Sequence, residues 1–188
     1  MSTKSIKVKY IAPLRGARGQ SVNGLPYLGL ENIESGTGKV IETETPIVSE
    51  GVTNYYQKDD VLFGKLRPYL AKVVLAKNEG VCTGELLVLS PKENQVDPRF
   101  LSYRLRADDF IKMVDNSTYG AKMPRANWNF IGNVSISLPQ LSEQKMIADT
   151  LDEKIALLDQ AIEREKKQIE LLTEYRQSLI AELVDTLE

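Results

Sequence analysis

Two short stretches gather the side chains that could do chemistry, and in both the chemistry is binding. In GKLRPYLAK (64–72), Lys65, Arg67, Tyr69 and Lys72 interleave cations with an aromatic ring, and Pro68 stiffens the turn that presents them. In YGAKMPRANW (119–128) the pattern returns with Tyr119, Lys122, Arg125, Asn127 and Trp128, on a loop shaped by Gly120 and Pro124. Lys and Arg hold phosphates or the guanine edge, Asn pairs with the adenine edge through two bonds, and Tyr supplies stacking or a hydroxyl donor. The same residues also fit plain surface loops whose Trp128 and Tyr69 anchor the core, and at this level both readings stand.

Catalysis has much less material. The chain has no histidine, which removes His general bases, Cys–His and Ser–His–Asp nucleophile systems and nearly every catalytic zinc site. Its single cysteine, Cys82, excludes an internal disulfide and a cysteine-rich zinc site. Neither the phosphate-binding GxxxxGK[ST] loop nor the dinucleotide GxGxxG occurs, nor does the Asn/Asp-Pro-Pro-aromatic motif by which amino-methyltransferases hold a target nitrogen. Asp59 and Asp60 read as solvated loop carboxylates, and Tyr55 and Tyr56 as the rim and core of a strand edge.

The elements that must position the two stretches are β-rich. Residues 6–11 alternate apolar and polar and predict a strand, ended by Pro13 and the Gly16/Gly19 segment, where Arg15 and Arg18 sit. Further strands are expected over 25–33, 38–42, 61–66, 69–76 and 81–89, with ESGTG (34–38) as a turn. Between 98 and 114 the period becomes helical, with Asp97 as N-cap, Pro98 at the first position and a break near Asp108. Residues 116–133 read as a loop region and 134–138 as a last strand.

Beyond Pro139 the pattern changes. Leu151, Ile155, Leu158, Ile162, Ile169, Leu172, Leu179 and Leu183 recur at steps of four and three, a heptad seam with Glu165 and Arg176 in two of its slots. No Pro or Gly interrupts 142–187, so a continuous helix would run to roughly 69 Å at 1.5 Å per residue. Ser142 is the expected N-cap and Glu143 complements the helix dipole. Such a seam asks for a partner helix, and Leu157, Ala161, Leu171 and Tyr175 add a second partial stripe.

Charge divides along the same line. Residues 1–141 hold 18 Lys+Arg against 14 Asp+Glu, and residues 142–188 hold 6 against 12. A mildly basic body suits a nucleic-acid surface, and an acidic helix suits protein contacts. The N-terminus lacks an apolar core and no run approaches 18 apolar residues, so the sequence predicts no membrane span and a cytoplasmic setting.

Five segments taken together carry a resemblance: YLGLENIESGTG (27–38), DDVLFGKLRPYLAKV (59–73), TGELLVL (83–89), TYGAKMPRANW (118–128) and LPQLSEQKMIADTLDEKI (138–155). In this order, ending in the Leu-x-Glu-Gln lead-in to a long helix, they resemble one half of a type I restriction-modification specificity (S) subunit. The resemblance implies a target recognition domain of mixed α/β, β-rich fold over 1–139, reading a half-site on double-stranded DNA. Residues 140–188 would be a conserved helix that spaces such domains and docks modification (M) and restriction (R) subunits. It implies no catalysis and no cofactor in this chain, with S-adenosylmethionine bound by the modification subunit. DNA contacts are expected from Lys65, Arg67, Tyr69, Lys72, Tyr119, Lys122, Arg125 and Asn127.

A complete S subunit has two recognition domains and two helices, whereas this sequence matches one of each, and Gln140 stands where a proline is common. An antiparallel homodimer through the seam is therefore expected. Glu165 and Arg176 favour that direction, since it can bring opposite charges together. The alternative from a different class is a coiled-coil adaptor whose globular head binds protein and no DNA.

Overall fold

The computed structural model describes residues 3–16, 18–20, 25–41, 52–120 and 123–185. Contacts divide the chain into two units, Met1–Ala148 and Asp149–Glu188. In chain order the elements are β1 (Lys4–Lys7), α1 (Val8–Ile11), β2 (Arg18–Gln20), β3 (Tyr27–Leu28), β4 (Val52–Tyr56), β5 (Val61–Gly64) and β6 (Val73–Leu75). There follow β7 (Gly80–Cys82), β8 (Leu86–Leu89), α2 (Pro98–Arg106), α3 (Asp108–Asp115), α4 (Trp128–Ile131), β9 (Ser135–Leu138) and α5 (Leu141–Asp185).

The first unit is built on the antiparallel sheet β6-β5-β8, which separates two hydrophobic cores. Successive side chains of a strand point to opposite faces, so Val61, Phe63, Val73 and Leu89 enter one core while Leu62, Val74, Leu86 and Val88 enter the other. That is why 61–64 is an unbroken apolar run: both faces are covered. The larger core is closed by α2 and α3 through Phe100, Leu101, Leu105, Phe110, Ile111 and Val114. Phe63 meets Phe110 edge-on, with centroids 6.1 Å apart and planes at 81°. The sheet β2-β4-β7-β3 is antiparallel except for the β3–β7 pair, and β1 pairs antiparallel with β9 from Lys4↔Leu138 to Lys7↔Ser135.

The helical prediction over 98–114 agrees with α2 and α3. Asp97 caps α2 by accepting from Arg99 N (2.9 Å) and Phe100 N (3.1 Å), with Pro98 in the first turn. Several strand expectations need correction. The strand expected over 6–11 ends at Lys7, because Val8 N and Lys9 N bond the Val134 and Gly132 carbonyls (3.0 Å each) and turn the chain into α1. Tertiary burial of Val8, Ile11 and Ala12 overrides the local alternation. Of 25–33 only β3 is strand, and over the described part of 38–42 there is one isolated bridge, Ile33↔Val40. Residues 69–76 begin as a 3-10 turn, Pro68–Leu70, before β6. Residues 81–89 are divided between β7 and β8, and α4 interrupts the expected loop over 116–133.

Asp60 is not a solvated loop carboxylate. It is 1% exposed and receives both Arg15 Nε (2.6 Å) and Nη2 (2.9 Å) together with Gln57 N (2.8 Å). The Asp60 hydrogen bond is the main cause that raises the Arg15 pKa. A bidentate guanidinium and a backbone amide satisfy the acceptor sites that burial would otherwise leave empty.

Helix α5 starts one residue before the expected cap. Gln144 N donates to Gln140 O at 3.0 Å, so Gln140 caps the helix and Ser142 lies inside it. The Gln144 side chain is fully buried in the first unit. Its Oε1 accepts from Asp97 N (2.9 Å), and its Nε2 donates to Pro139 O (2.9 Å) and Gln95 O (3.2 Å). Ala148 and Ile147 join the larger core. In the second unit Leu151 and Ile155 are half-buried, whereas Leu158, Ile162, Ile169, Leu172, Leu179 and Leu183 are 36–65% exposed. Among the described residues no helix is long and apolar enough to cross a membrane.

Candidate nucleic-acid interface

The two stretches picked from sequence are neighbours in space. Leu66 forms a bridge with Arg125, and Tyr119 forms another with the same residue. Arg67 N donates to Pro124 O and Ala126 N to Lys65 O, both at 2.8 Å. Loop 64–72 connects β5 to β6, and loop 118–127 lies between α3 and α4, so the 45 residues 73–117 separate segments that share a backbone ladder.

The first loop is held in an uncommon shape. Arg67 (φ 51°) and Ala71 (φ 48°) are both left-handed and flank the 3-10 turn Pro68–Leu70. A non-glycine residue there costs on the order of 1 kcal/mol and persists when its surroundings over-determine it. Here they do: besides the Arg67 bond, Leu70 O accepts from Gly36 N (3.0 Å), and Gly64 N donates to Lys72 O (2.8 Å). The ESGTG turn thus serves as a third segment beneath the loop. Gly38 (φ 69°) is required in it, since a Cβ would collide with the Val73 carbonyl. The Arg106 guanidinium donates to the Thr37 carbonyl and lies over the Tyr103 ring at 5.1 Å. Burial lowers the Arg106 pKa, with Tyr103 opposing the shift.

The eight expected contact residues meet different fates. Lys65 is half-buried and Arg67 exposed, and neither side chain has a hydrogen bond or ion pair among the described residues. Tyr69 and Tyr119 are exposed, so Tyr69 does not anchor the core, whereas Trp128 is packed against it. Lys72 is engaged elsewhere, its Nζ donating to Leu30 O at 2.7 Å. Arg125 is paired bidentately with Glu85 (3.2 and 3.3 Å), which offsets its charge. Asn127 caps α4, its Oδ1 accepting from Asn129 N at 2.8 Å, which leaves its Nδ2 as donor. Lys122 lies outside the described residues. Sequence reasoning missed Glu85 and the ESGTG support; only the glycine spacing of that turn signalled an ordered element.

Two cations and two exposed aromatics on two bridged loops form a surface suited to an anionic polymer. Among the described residues, no group of three or more His, Cys, Asp or Glu could hold a metal ion.

A family model for the type I restriction modification DNA specificity domain matches residues 20–171, and the chain belongs to that family. Among its relatives, the EcoDI specificity subunit of Escherichia coli is 25% identical over 158 residues, covering 82% of this chain and 35% of that protein. The MjaVIII specificity subunit of Methanocaldococcus jannaschii is 27% identical over 162 residues, covering 79% and 37%. The solved HsdS subunit from Thermoanaerobacter tengcongensis shares the fold, with a TM-score of 0.70 at 22% identity over 90% of this chain and 47% of that one. The mixed α/β body followed by a long C-terminal helix is thus a fold that this chain shares with that solved subunit. The chain spans about a third of the length of the curated relatives it matches.

Proposed function

We propose that the chain acts as a sequence-reading component of a type I restriction-modification system. Its body reads a short half-site on double-stranded DNA, and its helix positions modification and restriction subunits. The observation that carries this is the bridging of loops 64–72 and 118–127, which brings Lys65, Arg67, Tyr69 and Tyr119 together in a member of the DNA specificity family. The chain does no chemistry itself in this reading. S-adenosylmethionine belongs to the modification subunit, and the setting is the cytoplasm.

The exposed seam supports pairing with a second copy, since burying Leu and Ile side chains at roughly 1.5 to 3 kcal/mol each offsets association costs. Antiparallel pairing gives a twofold axis, and each body then reads the same half-site on opposite strands. Methylation mapping in cells that carry only this chain and its modification subunit tests the proposal. An interrupted palindrome is expected. An asymmetric motif would refute the homodimer, and no methylated motif together with no DNA binding would refute the reading function.

A further inference from the structure

Lys7 and Lys9 belong to neither loop, yet they are placed with care. Both ammonium groups converge on one neutral acceptor, Asn133 Oδ1, at 3.2 Å from Lys7 and 2.8 Å from Lys9. Asn133 Nδ2 donates to Asn129 O at 2.7 Å, which decides that its oxygen faces the lysines. The two charges stand within about 6 Å of each other, and neither is bonded to a carboxylate among the described residues. Lys9 also lies 5.3 Å from the centroid of the exposed Tyr10 ring. Two like charges gathered at a neutral oxygen repel each other, and an anion between them turns that repulsion into attraction.

The position of the pair indicates which anion. Asn127, Phe130 and Asn133 recur at steps of three through α4 and the turn after it, and all three are exposed. This strip leads from the end of the second loop to the lysines. Six residues at 1.5 Å rise cover about 9 Å, between two and three base pairs of duplex at roughly 3.4 Å each. We infer that Lys7 and Lys9, oriented by Asn133, clamp a DNA phosphodiester that flanks the base pairs faced by the two loops. The inference rests on the DNA-reading function proposed above and extends its footprint beyond the two loops.

A phosphate contact is independent of sequence, so the full chain can be titrated with a fluorescent duplex of mixed sequence across a salt series. The Lys7→Gln/Lys9→Gln variant should lower the slope of log K against log salt by about one, the value of one neutralised phosphate. Asn133→Asp sets a carboxylate against both ammonium groups and should lower the slope similarly; it forfeits the Nδ2 bond to Asn129 O, so the slope is read below the variant's own melting temperature. It also decides the matter if the double variant fails to fold. A wild-type slope in either folded variant overturns the inference, as does loss of association with the modification subunit at an unchanged slope. Absence of DNA binding by the wild type would bring down the reading function too. Binding that Lys65→Ala/Arg67→Ala weakens while Lys7→Gln/Lys9→Gln does not would remove this inference alone.

Discussion

The bridged loops and the distal helix solve opposite problems. In the loops the neighbours decide what each polar side chain is free to do: Glu85 occupies Arg125, the Leu30 carbonyl occupies Lys72, and Lys65 and Arg67 are left open. In the helix the seam residues from Leu158 to Leu183 are exposed, and their positions follow from spacing along the helix. A cation's role is set by contacts that arrive from distant sequence. An apolar stripe is set by its own periodicity and waits for a partner of matching length.

The helix side of this contrast should break most dramatically. Leu158→Asp with Leu172→Asp removes two apolar side chains from each copy, at roughly 1.5 to 3 kcal/mol apiece. The dissociation constant of the proposed dimer should rise by at least about a thousandfold, read as a single-chain mass in analytical ultracentrifugation at micromolar concentration. A dimer mass in that variant, or a monomer mass in the wild type, would show that the seam does not pair two copies.

Next in size is the root of α5. Gln144→Ala strands the Asp97 amide and the Gln95 and Pro139 carbonyls and leaves a cavity, which should cost about 2 to 4 kcal/mol. Denaturant unfolding measures it. A cost near zero would mean that the first turns of the helix are not integral to the body.

The loop side is sharpened by changes with opposing effects. Arg67→Gly removes an open cation and relieves a left-handed non-glycine residue. DNA affinity should fall, and the salt slope by about one, while the melting temperature should not drop. Arg125→Ala, by contrast, leaves Glu85 without its partner and should lower stability by about 1 kcal/mol as well as affinity. Equal stability changes in the two variants would erase the distinction between open and occupied cations.

The smallest effect concerns Cys82. Burial, helped by the Asp60 carboxylate, pushes its thiol up to about 12. At pH 8 it should therefore resist thiol reagents until the body opens. Rapid labelling of the native protein would show that β7 and its core are looser than the packing indicates.

Local signals account for much of the design. The Asp97–Pro98 cap and the heptad seam are written in adjacent residues, because helix initiation and helix periodicity depend on neighbours within four positions. Gly36 and Gly38 mark their turn for a similar reason. The sequence also singled out both loops, since cations, aromatics and turn formers coincide there. It could not tell α1 from a continued strand, because Val134 and Gly132, which capture the Val8 and Lys9 amides, lie more than 120 positions away.

Local sequence thus specifies the long helix with its apolar stripe, the capped α2, and the two loops as places of interest. Tertiary structure alone decided that these loops share one ladder and which of their cations stay open. It also decided that Asp60 is buried against Arg15 and that Lys7 and Lys9 meet at Asn133. The physical reason is range: periodicity and capping act within a turn or two, whereas charge pairing and burial depend on which distant segments the fold brings within about 4 Å.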